Sequence, residues 1–114
     1  MAKLFHVLTP DEHQQYINET IYHPVSLDNE KFIHLSKAEQ IESVILNFYS
    51  NHSKLILWRL SESSLDPKKL VYEPPLEAPN SGILFPHYYG EIETHWIEKQ
   101  FNLFGPHLPS NLLD

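Results

Sequence analysis

A chain of 114 residues, 41% of them hydrophobic, is long enough to bury one core beside one modest cleft, so we expect one domain over residues 1–104 and a tail over residues 105–114. The formal net charge of −7 argues against a nucleic-acid partner, and the absence of cysteine excludes disulfides and thiolate chemistry. No apolar run reaches the roughly 18 residues of a membrane span, and the first residues lack the apolar core of a signal peptide. We therefore expect a soluble, cytoplasmic protein with neither a membrane nor a nucleic-acid partner.

The first two elements are predicted from local signals. Residues 3–9 alternate as a strand in which His6 shares one face with two leucines. Thr9 is followed at once by a proline and, three positions later, by Glu12, and this pattern indicates the capping box of a helix. We expect that helix to run to about residue 20.

A link, a second strand and a second helix come next. Residues 23–30 are rich in turn formers, and we interpret them as a link. The stretch "FIHLS" alternates as a strand, with His34 and Ser36 on one face. Ser36 and Glu39 have the spacing of a capping box, which predicts a helix start. The inward positions of that helix are Ala38, Ile41, Ile45 and Phe48.

The second half of the chain predicts a set of strands. The stretch "KLILWRLS" is apolar almost throughout, as in a central strand covered on both faces. Short strands are predicted in "VYEP" and "ILFPHYYG", and a longer last strand in "THWIEKQFNLF". This order predicts an α+β fold. The tail either packs against the domain or frays. Leu112 and Leu113 favour a contact with a partner or a symmetry copy, and the oligomeric state stays open.

Two histidines on apolar strands are candidates for chemistry. Leaving a buried imidazole without a hydrogen-bond partner costs about 1 to 3 kcal/mol, so each ring needs one. One interpretation makes His6 a core residue, bonds His34 to nearby backbone and leaves Ser36 as a cap. The other places His34 and Ser36 at the mouth of a cleft beside a helix N-terminus, where free N–H groups favour anions.

Further polar groups lie in the two short strands of the second half. Glu73 precedes two prolines, and it is either a solvated carboxylate or a site residue. The stretch "FPHYYG" concentrates His87, Tyr88 and Tyr89 where a strand meets a turn, as aromatic packing or as the wall of a site. Gly90 would permit the close approach of a ligand.

The order of these motifs resembles a known family. "FIHLS", a helix containing Gln40, the strand "LILWRL", then "YE" and "FPHYYG" are similar to the bacterial proteins known as domain of unknown function 952. The likeness extends from Phe5 to about Phe104. It implies a small single domain with a fold like the ADP-ribosyltransferases: a bent, split β core with flanking helices and a cleft that holds NAD.

The resemblance also implies positions for the site residues. His6 matches the Arg or His of the first core strand, and His34 with Ser36 matches the second element. The candidates for the third element are Glu73, His87 and Tyr88. The chain departs from that pattern where Val-Leu-Thr follows His6 in place of Gly-Thr.

Three hypotheses follow. The first is a transferase or hydrolase acting on NAD or a related nucleotide. Its catalytic candidates are His34, His87 and Glu73. Its candidates for contact with the nucleotide are His6, Ser36, Tyr88 and Tyr89. The second hypothesis is a non-catalytic module that binds a small molecule in the same cleft. The third is a zinc site of three histidines and Glu73, but the sequence lacks a metal-ligand spacing, so we expect no metal.

Overall fold

The computed structural model describes residues 2–105 and 107–114. Within them the strands are β1 (Lys3–Leu8), β2 (Ile21–Tyr22), β3 (Ile33–His34), β4 (Lys54–Ser61), β5 (Leu70–Glu73), β6 (Phe85–Tyr88), β7 (Ile92–Glu93) and β8 (Ile97–Phe104). The helices are α1 (Pro10–Tyr16), α2 (Val25–Glu30) and α3 (Ile41–Phe48), with 3-10 turns over Ala38–Gln40, Glu62–Ser64 and Thr94–Trp96. None of the helices that these residues form has the length and apolar character needed to cross a bilayer.

The strands pair antiparallel in three small sheets. β4 lies between β1 and β8, β6 lies between β3 and β5, and β2 pairs with β7. A bridge joins Phe5 of β1 to Ser36, with both backbone hydrogen bonds at 2.8 Å, and it ties the first sheet to the chain just after β3. The predicted α+β class is confirmed.

The sheet of β1, β4 and β8 separates two layers of core. Residues of β4 enter the layers alternately, with Trp58 in the first and Leu57 in the second, and both are fully buried. β1 alternates as predicted, with Leu4 and Leu8 in the first layer and Phe5 in the second. The Cα radius of gyration of 13.3 Å is that of a compact domain of this length.

Helix α1 begins where it was expected and ends early. Thr9 Oγ1 accepts the N–H of Glu12 at 3.2 Å, and Glu12 Oε1 accepts the N–H of Thr9 at 2.9 Å, which confirms the capping box. The helix ends at Tyr16 instead of near residue 20. The carbonyl of Thr20 is taken by the N–H of Thr94 at 3.0 Å, which directs the chain into β2.

The prediction of a link over residues 23–30 is wrong, because α2 forms there. Its N-cap is Pro24, whose side chain makes no capping hydrogen bond. It ends at Lys31 with a φ of 75°, a left-handed conformation that glycine or asparagine usually adopts. Neither end of this helix therefore carries a recognisable signal in the sequence.

Ser36 does not cap the second predicted helix. Its N–H and its carbonyl both bond to Phe5, so the chain is still extended at this point. The cap lies one residue later, where the N–H of Lys37 donates to Oε1 of Gln40 at 3.0 Å. Phe48, an expected inward position, is 58% exposed at the end of α3.

The tail folds back onto the same chain. Leu112 is only 9% exposed and packs in the second core layer, whereas Leu113 is 62% exposed. Nη1 of Arg59 donates to the carbonyl oxygens of Leu112 at 3.0 Å and Asp114 at 2.6 Å. Leu112 is thus covered by its own domain.

Candidate functional site

A cavity of about 590 Å³ is bordered by residues of β1, α1, α2, β3 and α3. Cavities of this size are typical of sites for small organic ligands. Four predicted site residues line it, namely His6, His34, Ser36 and His87. Three others lie outside its lining, namely Glu73, Tyr88 and Tyr89.

His6 is held by both of its ring nitrogens. Nδ1 donates to the carbonyl of His34 at 2.7 Å, so Nε2 accepts the hydroxyl of Tyr22 at 2.6 Å. Burial lowers the pKa of His6 to about 4, and the ring is therefore neutral at pH 7. Burial likewise raises the pKa of Tyr22. His6 braces the cavity wall and has no ring nitrogen left for a ligand.

His87 is oriented by a carboxylate behind it. Its Nδ1 donates to Oε1 of Glu73 at 2.8 Å, and the same oxygen accepts the hydroxyl of Tyr89. The register of β5 and β6 makes this contact possible, because Val71 lies opposite His87 and Glu73 is its diagonal neighbour. Phe32 stacks on the imidazole with 3.9 Å between ring centroids.

The other nitrogen of His87 is the one that a ligand can reach. Within the described residues Nε2 makes no hydrogen bond, and no fully buried side-chain nitrogen or oxygen there lacks a partner. Nε2 therefore has solvent-accessible surface. His87 lines the cavity, and Nε2 is the ring nitrogen that the contact with Glu73 leaves free.

The charge states of this pair follow from burial and contacts. Burial lowers the pKa of His87. The hydrogen bond to Glu73 raises it, but not enough to bring it back to the usual value of a histidine. Partial burial raises the pKa of Glu73, but the hydrogen bonds from Tyr89 and His87 together hold it below its usual value. The Glu73 carboxylate in turn raises the pKa of Tyr89 to about 12. At pH 7 the pair is a neutral imidazole beside an anionic carboxylate, the form that a general base requires.

His34 and Ser36 both border the cavity, as does Leu35 between them. His34 lies opposite His87 across β3 and β6, with 5.4 Å between their ring centroids. Its Nε2 is 3.0 Å from Oε1 of Glu30, and its side chain is half-exposed. Ser36 is 4% exposed, and its hydroxyl makes no hydrogen bond to the described part of the chain.

Tyr88 belongs to the core, which corrects the expectation that it contacts a ligand. It is 2% exposed in the first core layer, and its hydroxyl accepts the N–H of Asp66 at 3.2 Å. A zinc site is not formed either. Among residues 2–105 and 107–114, no group of three His, Asp or Glu side chains is arranged to hold a metal, and both nitrogens of His6 are engaged.

Three of the lining residues that sequence reasoning missed escaped it for different reasons. Glu12 is recognisable only as part of a helix cap, although its carboxylate also borders the cavity. Tyr22 lies on a strand of two residues, too short to show a period. Glu30 ends the helix that the sequence did not predict. Alternation along a strand identified His34 and Ser36. Glu12 and Glu30 lie in helices and Tyr22 in a strand of two residues, so this pattern could not identify them.

Comparisons with known proteins identify the family. A search of curated proteins finds no match. The crystal structure of CC0527 from Caulobacter crescentus has a TM-score of 0.74 and 22% identity, over 96% of this chain and 90% of that chain. A crystal structure of its double mutant has a TM-score of 0.75 and 19% identity over the same shares. Its solution NMR structure has a TM-score of 0.72 and 21% identity, over 91% and 86%.

These likenesses show a shared fold. The sequence profile of a family described as "Protein of unknown function (DUF952)" matches residues 7–100, which is most of the chain. The resemblance drawn from "FIHLS" and "FPHYYG" is thereby confirmed at the level of the family. The chain belongs to the DUF952 family.

Proposed function

We propose that the cavity binds a small organic ligand and that His87, oriented by Glu73, acts there as a general base. The observation that carries this proposal is the 2.8 Å contact between Nδ1 and the Glu73 carboxylate, which leaves Nε2 for water or a ligand. A positioned base raises reaction rates by about 10² to 10⁴. The chain would then be a hydrolase or a group transferase.

The chemistry follows from the protonation states. Neutral Nε2 of His87 takes a proton from a water molecule or an acceptor hydroxyl as that oxygen bonds to an electrophilic carbon of the ligand. The bond from that carbon to the leaving group breaks in the same step, the leaving group takes its electron pair, and it later receives the proton from His87. The imidazolium that results is stabilised by the Glu73 carboxylate, as in other histidine–carboxylate pairs. The hydroxyl of Ser36 lies on the same cavity wall and would help to orient the ligand.

For the substrate we propose NAD or a related nucleotide, and for the fold an ADP-ribosyltransferase-like arrangement. The support is the motif order of the family resemblance, together with the presence of His34 and Ser36 in the cavity lining. The lining offers rings and hydroxyls for a base and a ribose. Among its described residues it offers no Lys or Arg for phosphate, so a nucleotide would enter by its nucleoside end.

Calorimetry of the full chain against NAD, ADP-ribose, AMP and adenosine, followed by product analysis, tests this proposal. We expect one of these compounds to bind and to be converted. His87→Gln should reduce turnover about 100-fold or more and leave the dissociation constant within about threefold. His95→Gln, at a histidine outside the cavity, is the matched control. Failure of every compound to bind would overturn the proposal.

A non-catalytic binding module is the second candidate. It is favoured by His6, whose two ring nitrogens are engaged by the protein and which Val-Leu-Thr follows in place of Gly-Thr. A compound that binds without forming a product would establish the module and exclude the base role of His87.

A further inference from the structure

The permanently charged side chains in the described lining of the cavity are carboxylates. Glu12, Glu30 and Glu77 border it, and none of its described lining residues is Lys or Arg. The imidazoles of His6 and His87 have lowered pKa values and are neutral at pH 7. In a chain with a net charge of −7, such a lining gives the cavity a negative potential.

Two of these carboxylates belong to different helices. Glu12 lies in the first turn of α1, where its Oε1 accepts the N–H and the hydroxyl of Thr9. Glu30 is the last residue of α2, and its Oε1 lies 3.0 Å from Nε2 of His34. Neither carboxylate forms an ion pair with Lys or Arg within the described ranges, so both can interact with a charged ligand.

Two largely buried polar side chains of the lining each have one group without a protein partner among residues 2–105 and 107–114. Ser36 is 4% exposed with a free hydroxyl, and His87 is 2% exposed with a free Nε2. No fully buried side-chain nitrogen or oxygen of the described residues lacks a partner, so both atoms keep some accessible surface, and water or a ligand in the cavity can bond to them. Nε2 of neutral His87 can only accept a hydrogen bond, and the oxygen of Ser36 can accept one as well.

The rest of the lining suits the body of such a ligand. Aromatic residues form much of it, namely Tyr16, Tyr22, Phe48, Tyr49 and Phe85. Aromatic faces attract cations, most strongly where water is excluded. An ammonium group offers several N–H donors and no acceptor, which is complementary to carboxylates, the Ser36 oxygen and the His87 lone pair.

We propose that the cavity also binds a protonated amine carried on an apolar or aromatic body, so that organic ammonium ions are a second class of ligand beside the nucleotides of the proposed function. This inference rests on the proposed function, because it takes the cavity to be the binding site. The additional element is the positive charge of the ligand group that enters the cavity. Glu12 and Glu30 supply the attraction, and the Ser36 hydroxyl and His87 orient the ammonium.

A series of three indole compounds isolates the effect of charge. Tryptamine is a cation at pH 7, tryptophol is neutral and indole-3-acetate is an anion, on nearly the same body. In calorimetry at low salt, tryptamine should bind about tenfold more tightly than tryptophol, and indole-3-acetate should bind more weakly than either. The preference should shrink when salt is added. Equal affinities, or a preference for indole-3-acetate, would overturn the inference.

Variants separate this attraction from a general charge effect. Glu30→Gln and Glu12→Gln should each weaken tryptamine binding about tenfold and leave tryptophol binding unchanged. Gln at position 12 keeps the oxygen that the helix cap needs. Glu42→Gln removes the same charge from an exposed site on α3 outside the lining, and it should change neither affinity.

The two proposals fail in different ways. If a nucleotide is bound and converted while the indole series shows no charge preference, the ammonium inference is wrong and the general-base proposal stands. If tryptamine is preferred and Glu30→Gln abolishes the preference while no product forms from any compound, the ammonium inference stands and the base role is wrong. If nothing binds, both are wrong.

Discussion

The bracing of His6 predicts that the fold loses stability in mild acid. Burial lowers the folded-state pKa of His6 from 6.5 to about 4. Between these pH values the unfolded chain binds a proton that the folded chain does not, so the free energy of unfolding rises with pH. The stabilisation is fully present above pH 6.5 and is lost as the pH falls toward 4.

The size of the effect follows from the same lowering of the pKa. A change from 6.5 to about 4 corresponds to about 3 kcal/mol of unfolding free energy. A protonated ring would also turn Nε2 into a donor and displace the hydroxyl hydrogen of Tyr22 that it now accepts. Since 1 kcal/mol shifts the melting temperature of a domain of this length by about 4 °C, the loss amounts to about 12 °C.

Urea unfolding between pH 4 and pH 7.5 measures this loss. The comparison is the double variant His6→Leu/Tyr22→Phe, which removes the titrating ring together with the hydroxyl that would otherwise be left unpaired. We expect it to be less stable at pH 7 and to lose about 3 kcal/mol less than the native chain over this range. His95→Gln, at an exposed histidine, should keep the native pH dependence. If the double variant shows the native pH dependence, His6 is not the neutral brace described above.

Three further substitutions test other contacts. Arg59→Met removes the buried guanidinium that holds Glu98 and two tail carbonyls, so it should lower the unfolding free energy by about 3 kcal/mol and expose the tail to limited proteolysis. Gln40→Leu breaks two side-chain hydrogen bonds to backbone and should cost about 2 kcal/mol in chemical denaturation. The exposed ring of His23 donates to Glu91 and Asp28, which raises its pKa, so its contribution is present below pH 6.5 and is lost as the pH rises through the raised value. His23→Gln should therefore flatten the pH dependence of the melting temperature between pH 6 and pH 8.

The sequence predicted those helices and strands whose ends are set by residues nearby in the sequence. The capping box at Thr9 and the apolar run of β4 are of this kind, and both are confirmed. Helix α2 has a proline at its cap and a lysine with positive φ at its end, so its local signals are absent. At Ser36 the local pattern was present but misleading, because a bridge to Phe5, distant in sequence, uses its backbone groups.

The sequence predicted lining residues of the cavity only where they lie on a strand with alternating side chains. Alternation placed His34 and Ser36 on one face, and both line the cavity. The partners of the other histidines depend on which strands pair and in what register. Glu73 contacts His87 because β5 pairs with β6, and the spacing of these residues in the sequence does not reveal this pairing. The same holds for Tyr22, which reaches His6 from a separate sheet.

The site of protonation on the His87 ring decides whether this histidine can act as a general base. Two-bond ¹⁵N–¹H spectra of the histidine rings at pH 7 show which nitrogen carries the proton. We predict a proton on Nδ1, held by Glu73, and an unprotonated Nε2 whose ¹⁵N shift changes when tryptamine or a nucleotide binds. Glu73→Gln should redistribute the proton between the two nitrogens. A proton on Nε2, or a ¹⁵N shift that does not respond to any bound compound, would show that His87 is not a base positioned by Glu73.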